Sequence, residues 1–345
     1  MKVIFFLLIF CVLKSVAQDK KTYQIKTLAF YNLENFFDTT NDSLIFDDER
    51  TPKGDYLWTK ERYNKKIENL AQVISEIGLK VTKTSPDIIG LCEAENLDVL
   101  EDLINHQKLR SKGYGIIHYN SPDDRGIDVA LLYKKNSYNP TSFKSHRLLL
   151  FDEDGKRDYT RDQLVVGGYM NNEEIYFIVN HWPSRRGGEE KSRPLRIKAA
   201  QLNKRIIDSL RYQNVTAKII TMGDFNDDPR NDSLKKVLKS KGKIKQLDSI
   251  SLFNPMVKLY EKGLGTLAYR DKWNLFDQFL FTPNLISEHK TGYSYWKAGI
   301  YNPNYLKNTS GKYKGYPFRT YAGTTYLGGF SDHFPVYMYL IKQLD

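Results

Sequence analysis

The sequence predicts a layered α/β domain whose sheets carry helices on their outer faces, and two observations predict it. Seven short apolar runs bounded by turn residues read as buried strands: Thr27 to Tyr31, Asp87 to Cys92, Val129 to Tyr133, Ile175 to Asn180, Lys218 to Met222, Gln278 to Phe281 and Pro335 to Leu340. Amphipathic stretches of helical period lie between them, so strands and helices alternate, with hairpin-like spacing in places. In such a domain the chemistry belongs at strand ends.

Taken in order, the chain opens on a segment built for export. Lys2 supplies a positive start, Val3 to Leu13 an apolar run, and Ser15-Val16-Ala17 the small residues that a signal peptidase reads, so residues 1–17 are expected to be removed near Ala17. The run is shorter than the roughly 20 residues that span a bilayer. A buried first strand or a retained anchor is the alternative; a lipidated Cys11 is disfavoured because Phe10 stands where a small residue is needed.

The helices follow from their stripes and caps. In Lys60 to Leu79, Ile67, Leu70, Ala71, Ile74 and Ile77 share one face behind Thr59 as N-cap. Asn96 opens a second helix carrying Leu100, Leu103 and Ile104. A third, after Ser192-Arg193-Pro194, carries Leu195, Ala199, Leu202, Ile206 and Leu210, and Pro229 opens a fourth with Leu234 and Leu238. Thr39 to Lys53, Pro183 to Lys191 and Lys297 to Gly315 are polar and turn-rich, and read as surface insertions where specificity resides.

Composition bounds the partners. Beyond the export segment Cys92 is the only cysteine, which excludes an intramolecular disulfide and suits a bacterial periplasm or exterior, where cystines are permitted but not required. Removing 17 of 345 residues leaves enough chain for a large core, and no low-complexity linker divides residues 18–345. The net charge of +11 drops to +9 once Lys2 and Lys14 leave. That balance favours polyanions such as nucleic acid or anionic headgroups, and equally describes a solvated lysine-rich surface. The 24 tyrosines offer faces on which bases stack, although most belong to core or rim. No further segment is apolar enough to cross a membrane, and the chain is expected to act as a monomer.

Five strand ends carry polar side chains suited to catalysis. Thr221-Met222-Gly223-Asp224-Phe225-Asn226 runs a strand into a Gly-Asp-x-Asn turn, and residues i and i+2 of a strand share a face, so Asp224 and Asn226 are expected to grip one water or anion together. The same pattern also reads as a turn whose aspartate caps a helix. Ser331-Asp332-His333 joins a potential ligand of a hard cation to an imidazole base; alone, such a histidine is more often structural. Asp87 to Glu93 delivers a carboxylate at the end of a buried strand, where it is costly unless compensated. Ile178-Val179-Asn180-His181 ends in a second histidine, and Leu28-Ala29-Phe30-Tyr31 ends in Asn32.

In order along the chain, Asn32, Glu93, His181, Asp224 with Asn226, Asp277 and Asp332-His333 resemble the endonuclease/exonuclease/phosphatase superfamily, the deoxyribonuclease I-like fold, from about Thr27 to Tyr339. The resemblance implies a four-layered αββα sandwich, two packed mixed β-sheets flanked by helices, forming a single catalytic domain. It implies Glu93 as the main Mg²⁺ ligand with Asn32 and Asp332 close to the metal, and His333 as base oriented by Asp277. Asp224 and Asn226 would position water and phosphoryl oxygens, and His181 would donate to a phosphate oxygen. Asp128, in Gly126-Ile127-Asp128-Val129, is the implied partner of His181. Arg185 and Arg186 make the loop after His181 more basic than the family pattern and are read as substrate contacts, and the insertion from Asp38 to Tyr56 is long for the nuclease branch. Oxygen ligands, without Cys-x-x-Cys or His-Glu-x-x-His, point to Mg²⁺ or Mn²⁺ over zinc.

The expected function is therefore a secreted or periplasmic phosphoester hydrolase. A nuclease acting on DNA or RNA is favoured by the charge, the tyrosines and Arg185-Arg186. Hydrolysis of a small or lipid phosphoester, of nucleotide, inositol phosphate or sphingomyelin type, needs the same catalytic residues. A binding protein without catalysis is disfavoured, because every expected catalytic residue type is present.

Overall fold

The computed structural model describes residues 21–344, so the export segment lies outside the described residues. Its main elements are β1 (Thr22–Phe36), α1 (Lys60–Glu76), β2 (Ile88–Ala94), α2 (Leu97–Asn105), β3 (Tyr114–His118), β4 (Asp128–Lys134), β5 (Asn139–His146), β6 (Gln163–Met170), β7 (Glu173–His181), α3 (Glu189–Gln213), β8 (Lys218–Asp224), β9 (Ser240–Lys241), β10 (Leu252–Phe253), β11 (Asp277–Phe281), β12 (Ser294–Ile300) and β13 (Val336–Leu344). Six strands form one mixed sheet in the order β12-β13-β1-β2-β4-β3, and seven form a second in the order β9-β10-β11-β8-β7-β6-β5.

The period-2 alternation of β1 shows how the layers stack. Leu28 and Phe30 point into the space between the sheets, where they meet Ile88, Val129, Leu131, Phe177, Val179, Met222 and Met338. Ala29, Tyr31 and Leu33 point the other way, onto the Leu70 and Ile74 stripe of α1 and onto Leu100 and Leu103 of α2. On the far side of the second sheet, Ile178, Ile219 and Leu280 pack against Ala199, Ala200, Ile206 and Ile207 of α3. These three apolar layers separate four layers of structure, helix, sheet, sheet and helix, in agreement with the expected αββα sandwich.

Thr59 caps α1 by accepting from the Arg62 amide at 3.5 Å, and Asn96 caps α2 by accepting from the Val99 amide at 3.0 Å. The third helix starts earlier than its sequence indicates, at Glu189, and runs through Pro194. Proline there forgoes one helical hydrogen bond, while Ser192 Oγ donates to the Gly188 carbonyl and Arg196 to that of Glu189 to secure the first turn. The helix expected from Pro229 shrinks to the single turn Ser233–Val237, because the Asn231 side chain takes the Asp228 amide and holds the chain in a local loop. The insertion expected from Lys297 is strand β12 as far as Ile300. Among the described residues no helix is long and apolar enough to cross a membrane.

Two crossovers decide where the chemistry collects. β1 and β2 are parallel and joined through α1; β7 and β8 are parallel and joined through α3. Parallel strands end at the same edge, so Asn32 lies opposite Cys92 in one sheet and His181 lies opposite Asp224 in the other. Antiparallel β11 begins at that same edge, with Asp277 opposite Asp224.

Candidate active site

The edge is shaped by irregularities in both of its central strands. The β1–β2 ladder loses register between Asn32 and Phe36, and the β2–β4 ladder between Cys92 and Ala94. Glu34, Asn35 and Glu93 lie at these breaks with φ of 52°, 49° and 62°, in the left-handed region that L-residues with bulky side chains rarely adopt. A bulge turns a residue out of its ladder, and Glu93 is thereby re-aimed toward the second sheet. Its carboxylate accepts from the Asn35 amide at 2.8 Å and from Asn32 Nδ2 at 3.2 Å.

Asn32 joins the two sheets. Its Nδ2 also donates to Asp224 Oδ2 at 3.2 Å, and its Oδ1 accepts from the Glu34 amide at 2.9 Å. The side chain thus bridges two carboxylates through its nitrogen, beside the Glu93 carboxylate next to which the resemblance puts it. Asp224 ends β8, and the Asn226 amide closes an Asx turn onto Asp224 Oδ1 at 2.9 Å. Asn226 has a φ of 50° and donates its side-chain amide to the Trp182 carbonyl at 2.9 Å, so this turn and not strand periodicity places it. Gly223 allows the strands to close here: a Cβ would come within 2.4 Å of the Asn180 carbonyl oxygen.

His333 is fixed from three sides. Ser331 Oγ donates to the Asn32 carbonyl at 2.7 Å and accepts from the His333 amide at 3.1 Å, which locks the segment onto β1. His333 Nδ1 lies 2.7 Å from Asp277 Oδ2, so the ring donates there and directs Nε2 toward Asp224 Oδ2, 3.9 Å away. Burial would strip the proton from this imidazole, but the Asp277 and Asp224 carboxylates hold it well above the usual histidine range. Burial pushes Asp224 up to about 7 despite the opposing pull of His333.

His181 Nε2 lies 3.8 Å from both Glu93 Oε1 and Asp224 Oδ2. Burial, followed by the positive charges of Arg161 and Arg125, pushes it well below the usual range, so the ring is neutral. Its Nδ1 is buried without a hydrogen-bond partner among the described residues. The pairing with Asp128 is not found: Asp128 accepts from the Ser121 amide at 2.7 Å and engages His118 Nε2 at 2.9 Å, because β3 and β4 pair and bring those residues together.

Arg185 also departs from expectation. Its guanidinium donates to the Asn226 carbonyl and to Glu189 at 2.9 Å each, and lies 4.5 Å from the Phe276 ring. Acidic residues of the following turn consume its donors, so it braces the Asp224–Asn226 turn rather than reaching for substrate. Arg186 is exposed.

Around Asp332 the structure adds residues that sequence reasoning missed. Arg319 donates to Asp332 at 2.9 Å and to Glu34 at 3.4 Å, and buried Lys66 lies 3.8 Å from Glu34. Burial lowers Lys66 to about 8 and raises Glu34. The available signals were a lysine next to Ile67 on the α1 stripe and a glutamate two residues after Asn32.

Glu34, Glu93, Asp224, Asp277 and Asp332 thus crowd one edge against Lys66, Arg319 and His333. Single ligand atoms of Asp224, Asp277 and His333 fall within 4.8 Å of one another. The 2.7 Å contact commits Asp277 and the His333 Nδ1 to each other; Glu93, partly exposed and oxygen-bearing, is a residue of this edge that could hold a hard cation.

A family model described as "Endonuclease/Exonuclease/phosphatase family" matches residues 27–342. The chain belongs to the endonuclease/exonuclease/phosphatase family. Members hydrolyse phosphoester bonds, generally with a divalent metal, and this chain is a phosphoester hydrolase of that family. A family protein from Bacteroides thetaiotaomicron superposes with a TM-score of 0.53 at 18% identity, covering 94% of this chain and 100% of that one. A mannosyl-6-phosphatase of the same organism gives 0.53 at 19%, covering 91% and 99%. A humanised Danio rerio TDP2 gives 0.54 at 12%, covering 92% and 98%. No match is found among curated proteins. At these identities the likeness is one of fold, and the family's layered sandwich is the architecture found here.

Proposed function

We propose that this protein is an exported, divalent-metal-dependent phosphodiesterase that cleaves DNA or RNA with water activated by His333. The observation that carries the reading is the buried 2.7 Å contact between Asp277 and His333, which leaves Nε2 facing the Asp224 and Glu93 edge. Asp277 holds the ring in the tautomer whose Nε2 accepts a proton from water. Asp224, held by the Asx turn and by Asn32, positions that water, while neutral His181 donates to a phosphoryl oxygen. Asn226 keeps the turn in place.

Oxygen donors in excess of nearby cations fit Mg²⁺ or Mn²⁺, with Glu93 and Asp332 as the residues that would hold the ion. When bound, such an ion offsets negative charge on the phosphoryl oxygens. It would also offset the field of Asp224 and Asp332, part of what keeps the proton on His333, and so favour the neutral base.

The net charge of +9 left once Lys2 and Lys14 are removed, from +11 for the full chain, supports a polyanionic substrate. Among the neighbours, TDP2 has been solved with a single-strand DNA product and another neighbour is a mannosyl-6-phosphatase, so diester and monoester substrates both belong in the test. Purified mature protein with Mg²⁺ is expected to cleave plasmid DNA or RNA and bis-p-nitrophenyl phosphate. Turnover confined to sugar phosphates, nucleotides, inositol phosphates or sphingomyelin would overturn the nuclease reading. Export rests on Lys2, the run to Leu13 and Ser15-Val16-Ala17. N-terminal sequencing of the protein from its own cell envelope or medium is expected to start near Gln18, and retained Met1 would contradict this.

A further inference from the structure

The hairpin Leu267–Asn274 and the turn at Lys312–Tyr316 meet beside the catalytic edge, and the proposed chemistry uses neither. Both join the site through backbone and rings. The Phe334 amide, next to His333, donates to the Thr266 carbonyl at 2.8 Å, and Thr266 Oγ1 accepts from the Asp277 amide at 3.5 Å. The hairpin root therefore touches Asp277 itself and the neighbour of His333. Phe334 stacks on Trp273 at 6.1 Å and 15°, Trp273 meets Tyr316 at 5.7 Å, and Tyr316 meets Tyr313 at 5.6 Å. The result is an unbroken row of rings that starts beside His333 and ends in solvent.

Hydrogen bonds hold the row rigid. Tyr316 Oη donates to Asp271 Oδ1 at 2.6 Å and accepts from the Asp271 amide at 2.8 Å, clamping together two segments 45 residues apart. The clamp also occupies the acid at the hairpin tip. Around it Arg270, Lys272, Lys312 and Lys314 are all exposed, and of these Lys272 also faces the acids Glu189 and Asp228. The Arg270 guanidinium lies 5.2 Å from the Tyr269 ring and Lys312 Nζ lies 5.7 Å from the Tyr313 ring. Tyr269 and Tyr313 remain 63% and 53% exposed, so their faces are open to a ligand.

We infer that this rim binds single-stranded nucleic acid, bases against the tyrosine faces and phosphates against the four cations, and feeds the strand to His333. The inference rests on the nuclease reading above and specifies its substrate. Open ring faces flanked by cations match a strand whose bases are unstacked and whose backbone is anionic; a duplex keeps its base faces hidden, and a neutral glycan would leave the cations unmatched.

The test uses the mature protein, its double variant Tyr269→Ala with Tyr313→Ala, and a charge variant Lys312→Ala with Lys314→Ala, all at exposed positions. Binding of fluorescent oligothymidylate is followed by anisotropy in EDTA, and cleavage in Mg²⁺. Stacking lost at these tyrosines is expected to raise Kd and KM at least ~10-fold, with kcat and bis-p-nitrophenyl phosphate hydrolysis unchanged. The lysine variant should bind with a shallower salt dependence. Unchanged Kd in both variants would overturn the inference, as would equal losses on blunt duplex or on a neutral oligosaccharide. Binding that depends on the tyrosines, without any cleavage, would keep the rim and sink the nuclease reading; cleavage with undiminished affinity in the variants would do the reverse.

Discussion

Replacing His333 with alanine is expected to lower turnover at least ~100-fold at saturating metal, the scale of losing a general base. The imidazole is held by Asp277 at 2.7 Å, by its own amide on Ser331 Oγ, and by the packing of Phe334 beneath Trp273. Few other groups nearby are placed to take its role. Asp224 has a pKa near neutrality, but its Oδ1 is engaged by the Asn226 amide and its Oδ2 by Asn32. Asp277→Asn should fall steeply as well, because an amide nitrogen turned toward Nδ1 favours the wrong tautomer. The cavity left by alanine is at the sheet edge, so near-native circular dichroism and a cooperative melt should accompany the loss. Turnover within a few-fold of the native enzyme in His333→Ala would remove the proposed mechanism.

Much of this site was legible because strand ends obey simple rules. Apolar runs bounded by turns located β2, β7, β8 and β11, and the residue at or next to the end of each proved to lie on one edge, since two parallel crossovers align those ends. The α1 stripe and the Thr59 and Asn96 caps were legible for the same reason: period and capping are local. What remained hidden was long-range or conformational. The bulges that re-aim Glu93 carry no glycine to mark them, only residues held at positive φ by the contact between Asn35 and Glu93. Strand β5 contains one large apolar residue, Phe143, and it is 53% exposed, so its order comes from pairing with β6 and leaves no pattern in its own sequence. The partner of Asp128 could not be read either, because His118 reaches it only through the β3–β4 register. Arg185 looked like a substrate contact because it is basic and in a loop; four acceptors in the Asn226–Asn231 turn, distant along the chain, claim it instead.

Glu93→Gln is expected to shift the Mg²⁺ activation curve to higher concentration and to lower its plateau. The substitution keeps the side-chain length and one acceptor oxygen, so the bond from the Asn35 amide survives, and the new amide group resembles a carboxylate in size. What disappears is the charge, together with the second oxygen that accepts from Asn32 Nδ2. A hard divalent cation depends on that charge, since an amide oxygen is a weaker ligand than a carboxylate. The neighbouring acids do not make up the loss: Asp224 is buried and hydrogen-bonded at both oxygens, Asp277 is bound to His333, and Asp332, the other carboxylate proposed for the ion, already shares its charge with Arg319. Removing one negative charge from a crowded acidic edge should leave the melting temperature without metal unchanged or slightly higher, because the remaining carboxylates repel one another less. Calorimetric titration with Mn²⁺ reads the same change without turnover, as a weaker Kd in the variant. Coincident titrations for variant and native protein, in both activity and calorimetry, would show that Glu93 does not hold the metal, and activity that survives EDTA in the native protein would remove the metal from the mechanism.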